Sequence, residues 1–95
     1  MIGFIGGGNM AEALIRGMRL EGMRDIMVSE PKEERRQYLA RQYEVKTTAS
    51  SREVVDASAI VILAVKPQNM ESVLDEIVAG LDESKTVVSI AAGIT

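Results

Sequence analysis

The sequence has neither cysteine nor histidine among its 95 residues. That removes thiolate nucleophiles, thiolate or imidazole metal ligands and any imidazole acid or base, so hydrolysis by a catalytic triad is excluded within the chain. An excess of positive charge is missing too: 11 Lys and Arg stand against 14 Asp and Glu, a formal net charge of −3. Duplex nucleic acid is normally gripped by a basic face, so no nucleic-acid partner is expected. Nor is there a long hydrophobic run. The longest, Ala57 to Val65 with Ser58 interrupting it, falls well short of the ~20 apolar residues a membrane helix requires, and is expected to be a core strand with no membrane partner. Met1 passes at once into the strand-like Ile2-Gly3-Phe4-Ile5 without a basic leader or cleavage site, as expected of a cytoplasmic protein.

What is present is the composition of an ordinary globular domain, 46% apolar and 26% charged, away from the regime of disordered chains. A domain of this length is expected to bury roughly 60 to 70 per cent of the surface its unfolded chain exposes. Without an internal repeat, low-complexity tract or linker, residues 1–95 are expected to form one domain. Short apolar runs alternate with longer segments of helical period, which predicts parallel strands between covering helices. Five strands are expected, at Met1 to Ile5, Ile26 to Ser29, Glu44 to Lys46, Ile60 to Val65 and Thr86 to Ile90. The last two are rich in the β-branched residues that suit a buried sheet.

The helices read as follows. Met10, Leu14, Gly17 and Met18 share one face after the first strand, with Gly22 as the stop. A second helix is expected with Pro31 at its first position, running through Gln42 and largely solvated. Ser50 and Glu53 form a capping box that opens a short helix ending near Ala57. Met70, Val73, Leu74, Ile77, Val78 and Leu81 recur at spacings of three and four, which predicts an amphipathic helix with its apolar stripe on the sheet. Together these elements predict a Rossmann-like, doubly wound α/β fold: a parallel sheet of about five strands with flanking helices. Thr95 follows directly on the fifth strand, where such a fold ordinarily continues with another helix, so the sequence is expected to be part of a longer chain.

Gly6, Gly8 and Ala11 fill the three small-residue positions of a dinucleotide fingerprint, directly after the first strand and at the opening of the first helix. The first permits a tight turn, the second lets a pyrophosphate approach the backbone, and the third lets helix and strand pack closely. Backbone N–H groups at the helix start then face the phosphates, where the helix dipole favours negative charge. The plain alternative is a tight turn that binds nothing. A second strand ending about 20 residues on favours the dinucleotide. At the end of that strand Glu30 is suited to accept ribose hydroxyls, as for NAD, while Lys32, Arg35 and Arg36 are suited to answer a 2′-phosphate, as for NADP. The sequence leaves NADP or NAD open.

Three blocks carry a resemblance: Gly3-Phe4-Ile5-Gly6-Gly7-Gly8-Asn9-Met10-Ala11, Ala64-Val65-Lys66-Pro67, and Val88-Ser89-Ile90-Ala91-Ala92-Gly93-Ile94-Thr95. In this order and spacing the chain resembles the amino-terminal domain of the pyrroline-5-carboxylate reductases. The resemblance implies hydride transfer from NADPH or NADH to the cyclic imine 1-pyrroline-5-carboxylate, giving L-proline. It places the pyrophosphate on the turn Ile5, Gly6, Gly7, Gly8, Asn9 and Met10, and the adenosine ribose against Ser29 or Glu30. Ser51 matches a position where relatives often carry an asparagine that touches the cofactor, and Glu30 departs from the small polar or basic residue many members place there. Ala64, Val65, Lys66 and Pro67 are implied to line the nicotinamide-ribose region, with Ala92 and Gly93 as the floor beside the ring. In the family a helical carboxyl-terminal domain holds most of the substrate and makes the dimer, so a homo-oligomer is expected of the complete chain. No catalytic acid and no metal ligand is nominated here, and these residues alone are expected to bind dinucleotide weakly and turn over imine negligibly. Two other functions are consistent with the glycine turn: the cofactor domain of a β-hydroxyacid dehydrogenase-like enzyme, and a non-enzymatic dinucleotide-binding or sensing module.

Overall fold

A computed structural model of the chain describes residues 1–90. Its elements are β1 (Ile2–Ile5), α1 (Asn9–Leu20), β2 (Ile26–Ser29), α2 (Glu33–Tyr43), β3 (Lys46–Thr48), α3 (Ser51–Ala57), β4 (Ile60–Leu63), α4 (Pro67–Ile77), a 3₁₀ turn (Val78–Gly80) and β5 (Thr86–Ser89). The strands form one parallel sheet in the order β3-β2-β1-β4-β5, the doubly wound arrangement predicted above. β1 is central, with Ile2 paired to both Ile26 and Ile60, and Ile5 to both Ser29 and Leu63.

Side chains alternate across a strand with a period of two, so each inner strand feeds two cores. Phe4, Ile26, Val28 and Ile62 point to the side covered by Ala11 and Ile15 of α1 and Leu39 and Tyr43 of α2. Ile5, Met27, Val61 and Leu63 point to the other side, against Val54 and Val55 of α3 and Ile77 of α4. Gly3 lies where α3 crosses β1, and a Cβ there would collide with Val54 and Ser58. The close approach of helix to strand requires glycine at that position.

Several boundaries differ from the sequence reading. The third strand is Lys46–Thr48, not Glu44 to Lys46, because Glu44 takes a left-handed conformation (φ 56) as the C-cap of α2 and cannot also be extended. α2 starts at Glu33 rather than at Pro31: the Glu30 carboxylate accepts the Lys32 N–H at 2.9 Å and holds a turn there. In α1 the buried face is Ala11, Glu12 and Ile15, with Met18 packed beside it, while Met10 and Leu14 are 40% and 39% exposed and Gly17 faces solvent. Half of the expected capping box forms at α3: Ser50 Oγ accepts the Glu53 N–H at 3.2 Å, but the Ser50 N–H goes to Thr48 Oγ1 at 3.1 Å, and the Glu53 carboxylate accepts the Thr48 hydroxyl instead. The stripe predicted for the fourth helix outruns it, since α4 ends at Ile77 and Val78–Gly80 form a 3₁₀ turn; of its residues Met70, Val73, Ile77 and Leu81 join the core, whereas Leu74 and Val78 remain exposed. β5, expected to be buried, lies at the sheet edge with all four residues exposed among the described residues.

Candidate cofactor-binding site

The winding direction reverses between β1 and β4. The chain leaves β1 toward β2 and β3, then crosses back by α3 to β4 on the other side. In an open parallel sheet the crevice beyond the strand ends at such a reversal is where ligands bind. An open cleft of about 970 Å³ lies there.

Its floor is the turn after β1. Gly6 donates its N–H to the Ser29 carbonyl at 2.9 Å and has φ +100, and a Cβ on it would collide with the Ala64 carbonyl oxygen. Only glycine fits this conformation without strain. Gly8 meets the opposite environment: a Cβ there would touch nothing within 4 Å. The first hydrogen bond of α1 runs from the Glu12 N–H to the Gly8 carbonyl at 2.9 Å, so the amides of Gly8, Asn9 and Met10 ahead of it have no carbonyl within the helix. Glycine has no side chain with which to cap them. These residues line the cleft, and uncapped amides at a helix start are the donor set a phosphate requires.

The remaining walls come from three other segments. Ser29 and Glu30 end β2, Ser51 opens α3, and Ala64, Val65 and Lys66 follow β4. With Ile5, Gly6, Gly7, Gly8, Asn9 and Met10, the structure brings these predicted residues around one cleft. Pro67 is not among its lining residues; it occupies the first turn of α4 instead. Ala92 and Gly93 lie outside the described residues. The sequence reading missed Asn69, Ser72, Val73 and Glu76, which recur at helical spacing along one face of α4, and also Pro31 and Ala49. That spacing was a usable signal, hidden by the apolar stripe next to it.

At the β2 end, Glu30 does not stand free. One carboxylate oxygen accepts the Gly7 N–H at 3.1 Å and the other the Lys32 N–H. Of the three basic residues considered for a 2′-phosphate, Lys32 and Arg35 line the cleft; Arg36 folds back, donating to the Glu30 and Pro31 carbonyls at 2.7 and 3.0 Å. Arg35 donates to the Gly7 carbonyl at 2.6 Å and to Glu12 at 2.7 Å. Glu12 also accepts from the hydroxyls of Tyr38, at 2.7 Å, and Tyr43. These tyrosine hydrogen bonds, Tyr38 first, together with the Arg35 guanidinium outweigh desolvation and hold the Glu12 carboxyl at a pKa of about 2. The same contact pushes the Tyr38 phenol up to about 12. Among the described residues no group of three carboxylates could hold a metal ion, and no helix is long and apolar enough to cross a membrane.

A doubly wound sheet with a glycine turn and, among the described residues, uncapped amides at its reversal point defines a dinucleotide-binding type of domain. The model of the family described as NADP oxidoreductase, coenzyme F420-dependent, matches residues 1–93, and the chain belongs to that family. The pyrroline-5-carboxylate reductase of Pseudomonas aeruginosa is 40% identical over 95 residues, covering 98% of this chain and 35% of that protein. The solved structure of a pyrroline-5-carboxylate reductase from Coxiella burnetii superimposes with a TM-score of 0.89 at 34% identity, over 99% of this chain and 36% of that one. That of Plasmodium falciparum pyrroline carboxylate reductase, which has NADP bound, gives 0.79 at 27% identity, over 98% and 34%. The resemblance drawn from the three sequence blocks is borne out, and the chain spans about a third of the length of these relatives.

Proposed function

We propose that this chain is the cofactor-binding part of an NAD(P)H-dependent reductase that converts 1-pyrroline-5-carboxylate to L-proline. One observation carries the reading: uncapped amides at Gly8, Asn9 and Met10 open on the switch-point cleft of a chain that aligns along 98% of its length with a pyrroline-5-carboxylate reductase. The turn from Ile5 to Met10 holds the diphosphate. Ser29 and Glu30 meet the adenosine ribose, Glu30 having lone pairs to spare beyond the two backbone donors it accepts. Ser51, hydrogen-bonded to Ser29 at 3.4 Å, sits beside them, and Ala64, Val65 and Lys66 border the nicotinamide ribose. In the same reading Ala92 and Gly93, outside the described residues, are assigned to the floor beside the nicotinamide ring.

When bound, the reduced nicotinamide supplies the hydride that the imine carbon accepts. The contribution of this chain is position: backbone donors fix the diphosphate, and small side chains beside β4 let a ring lie close. The substrate pocket and the subunit contact of a homo-oligomer belong to chain beyond these residues, and the setting is cytoplasmic. A chimera in which this chain replaces the matching segment of the Pseudomonas aeruginosa reductase tests the proposal. It is expected to oxidise NADPH or NADH only when 1-pyrroline-5-carboxylate is added and to form L-proline in equal amount, while the 95 residues alone form none. A chimera that folds and binds dinucleotide but shows no imine-dependent oxidation would overturn the reading.

A further inference from the structure

Gly7 is held at both of its peptide groups from outside its own segment. Its N–H goes to Glu30 at 3.1 Å, and its carbonyl receives the Arg35 Nε at 2.6 Å. The peptide joining Gly7 to Gly8 is planar and trans, so its carbonyl and the following N–H point in opposite directions. A carbonyl drawn toward α2 therefore turns the Gly8 N–H away from α2, on the residue whose surroundings are open.

Arg35 is itself held. Its Nη2 donates to Glu12 Oε1 at 2.7 Å, and its guanidinium lies 5.1 Å from the centre of the Tyr38 ring. The other Glu12 oxygen takes the hydroxyls of Tyr38 and Tyr43, whose rings meet edge to face at 6.4 Å, and Arg16 approaches it at 3.7 Å. Glu12 is 8% exposed on a helix face otherwise formed by Ala11 and Ile15, and it is not among the residues lining the cleft. A carboxylate in such a place costs desolvation that an apolar residue would avoid. What it secures is the side chain that grips the Gly7 carbonyl.

We infer that Arg35 is a positioning residue for the phosphate-binding turn, oriented by Glu12, Tyr38 and Tyr43, and that it acts through the Gly7 carbonyl. This rests on the dinucleotide reading and extends it to residues on α1 and α2. Arginine is required because its rigid fork serves a carbonyl and a carboxylate together, which a lysine ammonium on a flexible stem does not.

The test is calorimetric titration of the chain and its Arg35→Lys, Arg35→Gln and Glu12→Gln variants with NADH and NADPH, alongside amide hydrogen exchange. Loss of a charge-assisted hydrogen bond sets the expected scale: each variant weakens both dinucleotides by about tenfold and to the same extent. Because the two residues act in series, the Glu12→Gln/Arg35→Gln double variant is no weaker than the worse single one. Exchange at the Gly7 amide, which Glu30 holds, accelerates while Val28 and Val61 in the sheet keep their protection, which a general loss of structure would not produce. Arg35→Lys leaves Glu12 a cation and keeps the measurement available if a neutral variant does not fold. A loss confined to NADPH would overturn the proposal by showing that Arg35 contacts a 2′-phosphate. Unchanged affinities in the variants would overturn it alone, whereas a parent chain that binds neither dinucleotide would overturn the dinucleotide reading with it.

Discussion

The two walls of the cleft are held by different means. On the β2–α2 side, side chains bind the backbone: Glu30 and Arg35 grip Gly7, Arg36 grips the carbonyls of Glu30 and Pro31, and Ser29 meets Ser51. On the β4–α4 side the backbone holds itself. The Ala64 N–H goes to the Ile5 carbonyl at 2.8 Å and the Asn69 N–H to the Lys66 carbonyl at 2.9 Å, and among the described residues no side-chain hydrogen bond reaches Ala64, Val65 or Lys66. The difference follows from what each wall presents. A phosphate site made of amides on a glycine turn has no side chains to fix it and must borrow them from its neighbours. A wall that offers only small cross-section needs a strand end and a helix start.

This contrast can be broken most severely at Gly6, where both walls meet. Gly6→Ala places a Cβ on the Ala64 carbonyl at a left-handed backbone and is expected to destabilise the chain by at least about 2 kcal/mol and to abolish measurable dinucleotide binding. Urea denaturation with calorimetry reads both; wild-type behaviour in both would show the turn to be shaped differently. The next largest effect is on the wired side and depends on pH. Glu12 has a folded-state pKa of about 2 against an ordinary 4.5, so the unfolded chain binds more protons between those values. Its stabilising contribution is full above about 4.5 and is lost as pH falls toward 2. Urea midpoints across that range should fall more steeply for the parent chain than for Glu12→Gln, and parallel slopes would contradict the cluster.

Smaller effects sharpen the contrast. Glu44 is left-handed at the C-cap of α2, remote from the cleft lining. Glu44→Gly is expected to raise stability by about 0.5 kcal/mol in thermal melts while leaving dinucleotide affinity alone. Lys66→Ala, on the self-supporting wall, should change affinity for either dinucleotide in this chain by less than about twofold. A tenfold loss there would mean that this wall too depends on a side chain.

The central strands and the glycine turn were legible because their signals are local: an unbroken, β-branched apolar run in Ile60 to Leu63, and small residues at Gly6, Gly8 and Ala11. The face of α1 was not. Met10 and Leu14 make one apolar stripe, and Ala11, Ile15 and Met18 another. Only the demand that Ala11 pack on β1 selects the second. β5 was legible as a strand because β-branched residues report fitness for a strand, and its exposure is that of the described residues alone. The start of α2 moved because Lys32 is extended (φ −86, ψ 119) and caps the helix instead of joining it. The Glu12, Arg35, Tyr38 and Tyr43 cluster links α1 to α2 across 23 to 31 positions, beyond any periodicity that a sequence window can register.

Amide chemical-shift mapping of the chain during titration with NADPH and NADH tests the central claim most directly. Saturable shifts should be largest from Gly6 to Met10 and at Glu30 and Lys32, with smaller ones beside Ala64. Shifts confined to α1 beyond Arg16 or to β5, or none at millimolar dinucleotide, would contradict a phosphate site at the end of β1.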